Sequence, residues 1–407
     1  MSRPEVMFPS SEKWSRRART VDAWAATRDQ ILEVDAANLG YPVYFERASG
    51  AHVWDVDGNR FIDFNLGYGP VVLGHAEPRV LDAVVRQMAQ GTCASPLWHP
   101  RQVELAELMT EVIPGAEQAY LLRTGSDATT AAVRLARIHT GRDKVLRWGY
   151  NGWHDWCAPR PEGVPDPTLS NTLKFTYNDI ESVRSAFAAH PDEIACVIMM
   201  SYEYDAPAPG FLNQVKEIAN AHGALFILDE MRSGFRIALG GAQEHFGVVG
   251  DLSTFSKAMA NGYPISAVVG RADVLAHLGR THMSSTFYGN PAEMAAAITT
   301  IGILRETDAL ARIRRLGETF VDGLTELVRA YEIPAEVVGL PVSPFLIFDE
   351  SDTAGCDRKV RFFTEVVRRG VLLHPNHQWF LSAAHTEEDV QISLDACRSA
   401  FDLISNG

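Results

Sequence analysis

Two short stretches of this chain hold residues that could do chemistry together. Ala224–Leu228 is an apolar run that ends in Asp229-Glu230. Twenty-eight positions after Asp229 comes Lys257, within the largely apolar Phe255-Ser256-Lys257-Ala258-Met259. A carboxylate at the exit of a buried strand and a lysine in an apolar pocket are the pair that pyridoxal phosphate (PLP) requires. The lysine forms a Schiff base with the aldehyde. The carboxylate keeps the pyridine nitrogen protonated, so the ring draws electrons from the substrate carbon. Alone, each residue has an ordinary reading: an Asp ending a strand is commonly a turn or cap residue, and a Lys commonly lies on the surface. The surrounding sequence decides between them.

Arg123-Thr124-Gly125-Ser126-Asp127-Ala128 follows a predicted strand and opens a predicted helix. Free backbone N–H groups, a glycine and flanking hydroxyls make a cradle for phosphate. The plainer alternative is a helix N-cap by Thr124 or Ser126. Asp127 tolerates a phosphate nearby only if its side chain turns away. Tyr150, in Trp148-Gly149-Tyr150-Asn151-Gly152-Trp153-His154, offers a flat ring to cover one face of a cofactor, or else packs on the surface. Met231 offers support for the opposite face, or core filler. Ser285–Pro291 is a second hydroxyl- and glycine-rich turn before a helix, and so a second phosphate candidate. His75, His245 and His385 are dispersed without metal-ligand spacing and read as structural.

These residues need a scaffold. The 407 residues suggest two or three domains. We place boundaries at 1–70 (polar arm and β segment), 71–300 (large domain) and 301–407 (small α+β domain). The β segment is expected as Val43–Phe45, a turn at Ala48–Gly50, His52–Asp55, a turn at Asp57-Gly58 and Arg60–Phe64. From His75, helices and apolar strands alternate, which argues for a mainly parallel sheet with helices on both faces. Strands are expected at 120–122, 144–146, 196–199, 224–229 and 266–270, and later at 345–348 and 371–373. The net charge is −14 and no basic stripe is present, which argues against nucleic acid. The acidity fits simple solubility or a cationic substrate. Five scattered cysteines without a CxxC pair give neither a zinc site nor a disulfide framework. No window resembles a membrane span, and Met1–Thr20 lacks the apolar core of a secretory signal, so a cytoplasmic protein is expected.

The sequence resembles the class III aminotransferases of fold type I, and within them the glutamate-1-semialdehyde 2,1-aminomutases. The likeness runs from about Pro42 to His385. It includes Trp54–Arg60, Gly69-Pro70 with Gly74-His75-Ala76, Thr140–Lys144, Asp229-Glu230 with Gly234-Phe235-Arg236, Gly240-Gly241, Gly262-Tyr263-Pro264, Gly289-Asn290-Pro291 and Ala384–Asp389. The resemblance implies PLP and a large domain with a mainly parallel seven-stranded sheet beside a smaller α+β domain. It implies Lys257 as the Schiff-base lysine and proton shuttle, Asp229 at the pyridine nitrogen, Gly125 and Ser126 on the phosphate, and Tyr150 on the ring. Thr286 would reach the phosphate bound in a neighbouring subunit, which implies a homodimer with shared active sites.

The departures from the family carry the substrate information. An ungapped alignment back from Pro42 puts Glu33 where the aminomutase binds its substrate carboxylate with an arginine. Met200–Asp205, with Glu203, replaces the family's Glu-Pro. Tyr68 stands where the aminomutase has a gating tryptophan, and Pro375–Trp379 is one residue shorter than its counterpart. We therefore expect an aminotransferase acting on a carbonyl of a polar, amine-bearing sugar or cyclitol, as in aminoglycoside assembly. An intramolecular aminomutase, an epimerase and a non-catalytic scaffold stay open as alternatives.

Overall fold

A computed structural model describes residues 8–25, 27, 41–351 and 353–405. The chain forms two compact units: Met1–Glu77 with Ala311–Gly407, and Pro78–Leu310.

The first unit opens with an antiparallel meander of β1 (Phe45–Ser49), β2 (His52–Asp55) and β3 (Arg60–Asp63). The expected Val43–Phe45 strand and 48–50 turn lie a few residues off. Ser49 pairs with His52, so the reversal falls on Gly50-Ala51. Gly50 takes φ 58, a left-handed geometry that glycine adopts without steric cost.

The second unit is built on β4 (Gln118–Leu122), β5 (Lys144–Trp148), β6 (Thr172–Lys174), β7 (Ile194–Met200), β8 (Leu225–Asp229), β9 (Leu252–Phe255) and β10 (Ser266–Gly270). They form one seven-stranded sheet in the order β4-β10-β9-β8-β7-β5-β6. β9, β8, β7, β5 and β6 run parallel, and β10 is antiparallel to both β9 and β4. Every residue of β7, β8, β9 and β10 is buried. Helices cover both faces, which is why these strands read as continuous apolar runs rather than alternating ones. The Gly125–Thr140 helix packs Ala128, Ala132 and Leu135 onto one face, against Ile198, Ile227 and Leu252. The Phe211–Ala221 helix packs Phe211, Val215 and Ala219 onto the other, against Val197, Phe226 and Leu228. Short β6 and β9 escape the sequence expectation because they are too brief to show a period.

The chain then returns to the first unit. β11 (Ala335–Leu340) and β12 (Ser343–Phe348) make an antiparallel pair, and β13 (Val371–Leu372) lies parallel to β3. That β3–β13 pairing joins the N-terminal β segment to the C-terminal region within one unit. Among the described residues no helix is long and apolar enough to cross a membrane.

Candidate active site

In the second unit the parallel strands deliver their following residues to one end of the sheet. β4 leads to Arg123–Ser126, β5 to Tyr150 and Asn151, β7 to Glu203, β8 ends at Asp229, and β9 leads to Lys257. The carboxyl ends of parallel strands are where open α/β sheets bind ligands, because the chain leaves the ladder there and its backbone groups turn outward.

Asp229 is buried, and both its oxygens are engaged. Oδ2 accepts from Asn151 Nδ2 at 2.8 Å, and Oδ1 accepts from the Met231 N–H at 3.0 Å. Burial raises its pKa, opposed by these two hydrogen bonds and by Lys257 and Arg232. The position of Asn151 is itself fixed. Its carbonyl accepts from Thr129 Oγ1 at 2.6 Å, and Arg147 clamps the same loop through the carbonyls of Cys157 at 2.6 Å and Gly149 at 2.8 Å.

Lys257 starts a 3₁₀ turn, Lys257–Ala260, directly after β9. Its φ of 43 is left-handed, a strained geometry for a residue with a side chain, and such strain gathers at functional positions. Burial pushes its pKa down to about 8; Arg232 lowers it further, and Asp229 opposes the shift. About a tenth of this lysine is therefore a neutral amine at pH 7, far more than an unperturbed lysine offers, and attack on an aldehyde requires that form.

Thr124 caps the Gly125–Thr140 helix. Its Oγ1 accepts from the Asp127 N–H at 3.2 Å, while Asp127 Oδ2 accepts from the Thr124 N–H at 2.9 Å. This capping box turns the Asp127 carboxylate back onto Thr124, the orientation a neighbouring phosphate requires. The helix N-cap thus leaves the proposed phosphate cradle compatible with the same segment. Space around the cradle is tight: a Cβ on Gly125 would lie 2.9 Å from Met231 Sδ, and one on Gly152 would lie 2.6 Å from Ser126 Oγ. Met231 therefore stands against the cradle glycine. Tyr150 is 55% exposed, leaving its ring available to cover a ligand.

Glu230, next to Asp229, has a different task. It accepts from the Ser233 hydroxyl, from the Ala242 N–H at 2.9 Å and from the Gln243 N–H at 3.0 Å. Burial pushes its pKa up to about 7. A Cβ on Gly241 would lie 2.5 Å from its Oε2, and one on Gly240 would lie 2.6 Å from Pro114 Cδ, so each glycine of the pair has its own reason.

Glu203 lies after β7 and meets Arg232 at 3.7 Å. Thr286 is on the exposed segment 281–290. Tyr68 belongs to the first unit, where its ring meets those of His377 and His374 edge-on at 4.8 and 5.6 Å. Glu33 lies outside the described residues. His385 is buried against Ser382, and His75 pairs with Asp63 at 2.8 Å, both as structural groups. No cluster of His, Cys, Asp or Glu able to hold a metal occurs among the described residues.

Two residues escaped the sequence reading. Asn151, the partner of Asp229, sits beside Tyr150 with nothing in its spacing to mark it. Arg232 left a readable signal: a cation three positions after Asp229, close behind an apolar strand.

The family model for class III aminotransferases matches residues 34–157 and 159–406. The chain belongs to the class III aminotransferase family. Among the relatives of this class III chain is a 3-aminobutyryl-CoA aminotransferase of Cloacimonas acidaminovorans, 40% identical over 370 residues that cover 88% of this chain and 89% of the relative. Glutamate-1-semialdehyde 2,1-aminomutase 2 of Brevibacillus brevis is 35% identical over 393 residues, 89% of this chain and 91% of the relative. The FumI protein of Sphingopyxis sp. MTA144, solved with PLP, superposes with a TM-score of 0.90 at 30% identity, covering 97% and 96% of the two chains. The cofactor of this class III chain is PLP. Its site fits the group: Asn151 Oδ1 is buried without a hydrogen-bond partner among the described residues, and the Gly125 cradle has no room for a side chain.

Proposed function

We propose that this chain transfers an amino group between an amino-acid donor and the carbonyl of an acyl-thioester or related β-oxo acid, using Lys257 and Asp229. The observation that carries this reading is the arrangement of Lys257, Asp229 and Arg232: an amine with its pKa lowered to about 8, a carboxylate held by Asn151, and a cation electrostatically coupled to both. Bound PLP supplies the electron sink for the carbon that carries the amine. Asp229 holds the proton on the pyridine nitrogen. Lys257 would hold the cofactor through its amine and would carry a proton to and from the substrate carbon. Gly125 and Ser126 hold the phosphate, Tyr150 and Met231 flank the ring, and Thr286 reaches the phosphate of a second copy in a homodimer. Arg232 supplies the positive charge that a donor carboxylate needs. The thioester class is supported by the 40% identical relative, whose name gives an acyl-CoA substrate.

A second reading, the amine-bearing sugar or cyclitol of aminoglycoside assembly, is favoured by the net charge of −14 and by Glu203 and Asp205. It is weakened by the Arg232–Glu203 pair, which already sets a cation against that carboxylate. The visible absorbance of the holoenzyme separates the two. Bleaching by 3-aminobutyryl-CoA but not by neamine supports the first reading. Bleaching by neamine alone overturns it and restores Glu203 as a substrate contact. Turnover of a single substrate with no acceptor present would instead mark an aminomutase or an epimerase.

A further inference from the structure

A groove of about 450 Å³ lies between the Gly125–Thr140 helix and the segment that follows Trp153. Thr130, Val133, Arg134 and Arg137 line it from the helix, at spacings of three, four and seven residues that share one helical face. Trp153 and His154 line the other side, and the Trp153 ring is 68% exposed. Arg134 is exposed and makes no hydrogen bond or ion pair among the described residues. Arg137 donates Nε to the Asp143 carbonyl at 2.8 Å. One carboxylate, Asp155, lines the same groove, so the balance is two guanidinium groups against one anion.

One lining residue reaches the Gly125-Ser126 segment: the Trp153 N–H donates to Ser126 Oγ at 3.3 Å. From Ser126 the helix carries Arg134 roughly 12 Å away and Arg137 roughly 17 Å away. An open aromatic face beside guanidinium groups suits a planar base that carries phosphate: the ring stacks, and planar guanidinium forks match phosphate oxygens. An acyl-CoA has such a nucleotide at the far end of a long arm from its reacting carbonyl. We propose that this groove binds the 3′-phosphorylated adenosine end of an acyl-CoA substrate, with Trp153 under the base and Arg134 and Arg137 on the phosphate. The proposal rests on the thioester reading above and sharpens it to CoA rather than a bare acid.

Two measurements on the holoenzyme keep the two ideas apart. Calorimetric titration with adenosine 3′,5′-bisphosphate probes the groove without any turnover. We expect saturable binding that weakens about tenfold in Arg134→Gln and again in Arg137→Gln, the size of one charge-assisted contact each. Absence of binding, or binding indifferent to both substitutions, overturns the groove. Turnover of 3-aminobutyryl-CoA is then compared with that of the same acyl group on pantetheine. The two variants should raise KM for the CoA thioester and leave kcat, and both constants for the pantetheine thioester, unchanged. An equal loss on both thioesters also overturns the proposal. If neither thioester is turned over, the thioester reading fails, and the titration still decides whether the groove takes a nucleotide.

Discussion

The floor and the wall of the candidate site are built differently. The floor, at the ends of β8 and β9, is over-determined. Asp229 is buried with both oxygens bonded, Asn151 is held by Thr129, and Lys257 sits at a fixed left-handed φ of 43. The wall is looser. Tyr150 is 55% exposed, the 281–290 segment is largely exposed, and Glu203 meets Arg232 at 3.7 Å, longer than a tight ion pair. A rigid floor suits chemistry that is the same for every substrate, because proton transfer needs fixed geometry. A loose wall suits recognition, which differs from one substrate to the next.

If this contrast holds, damage to the floor removes catalysis for all substrates, and damage to the wall redistributes it. The largest effect belongs to Lys257→Ala, which should cut turnover about ten-thousandfold or more with every donor while the apo protein melts at an unchanged temperature. Residual turnover close to the parent would place the reacting amine elsewhere. Asp229→Asn should slow proton transfer on the order of a hundredfold with PLP still bound; rates near normal would mean that another carboxylate serves the ring nitrogen.

The pH dependence of cofactor capture tests the floor without substrate. With the Lys257 pKa lowered to about 8, the neutral amine grows as pH rises, reaches about half at that value and is nearly complete about one unit above it. Capture of PLP by the apo protein should therefore accelerate about tenfold per pH unit up to about 8 and then level off. Continued acceleration toward the unperturbed 10.5 would show that the pocket does not lower the pKa.

On the wall, Arg232→Gln should raise KM about tenfold for carboxylate-bearing donors and leave simple amine donors alone. A uniform loss would move Arg232 to the floor. The smallest effect, a few-fold weaker hold on PLP, is expected for Thr286→Ala if the proposed dimer forms, and then only at concentrations that favour it. Weakening that persists in the monomer would show that the residue acts within its own chain.

The same contrast governs what was legible in the sequence. Long apolar runs announce β7 and β8, and the charged residue that ends β8 marks the Asp229 turn, because strands buried on both faces have no freedom to be polar. Lys257 was visible for the same reason, as a lone charge among apolar neighbours. Asn151 was not visible, since its role depends on a side-chain hydrogen bond across 78 positions. The N-cap and phosphate readings of 123–128 looked exclusive in the sequence. The capping box establishes the N-cap and turns Asp127 onto its own backbone, so the two readings do not exclude each other. The opening hairpin was displaced because Gly50 alone decides where that chain reverses.

The Glu230 knot also gives the floor a reporter. The amide protons of Ala242 and Gln243 end on Glu230, one residue from Asp229. Their exchange with deuterium can occur only when that knot opens, so two slow amides a dozen positions down the chain record how often the carboxylate turn lets go.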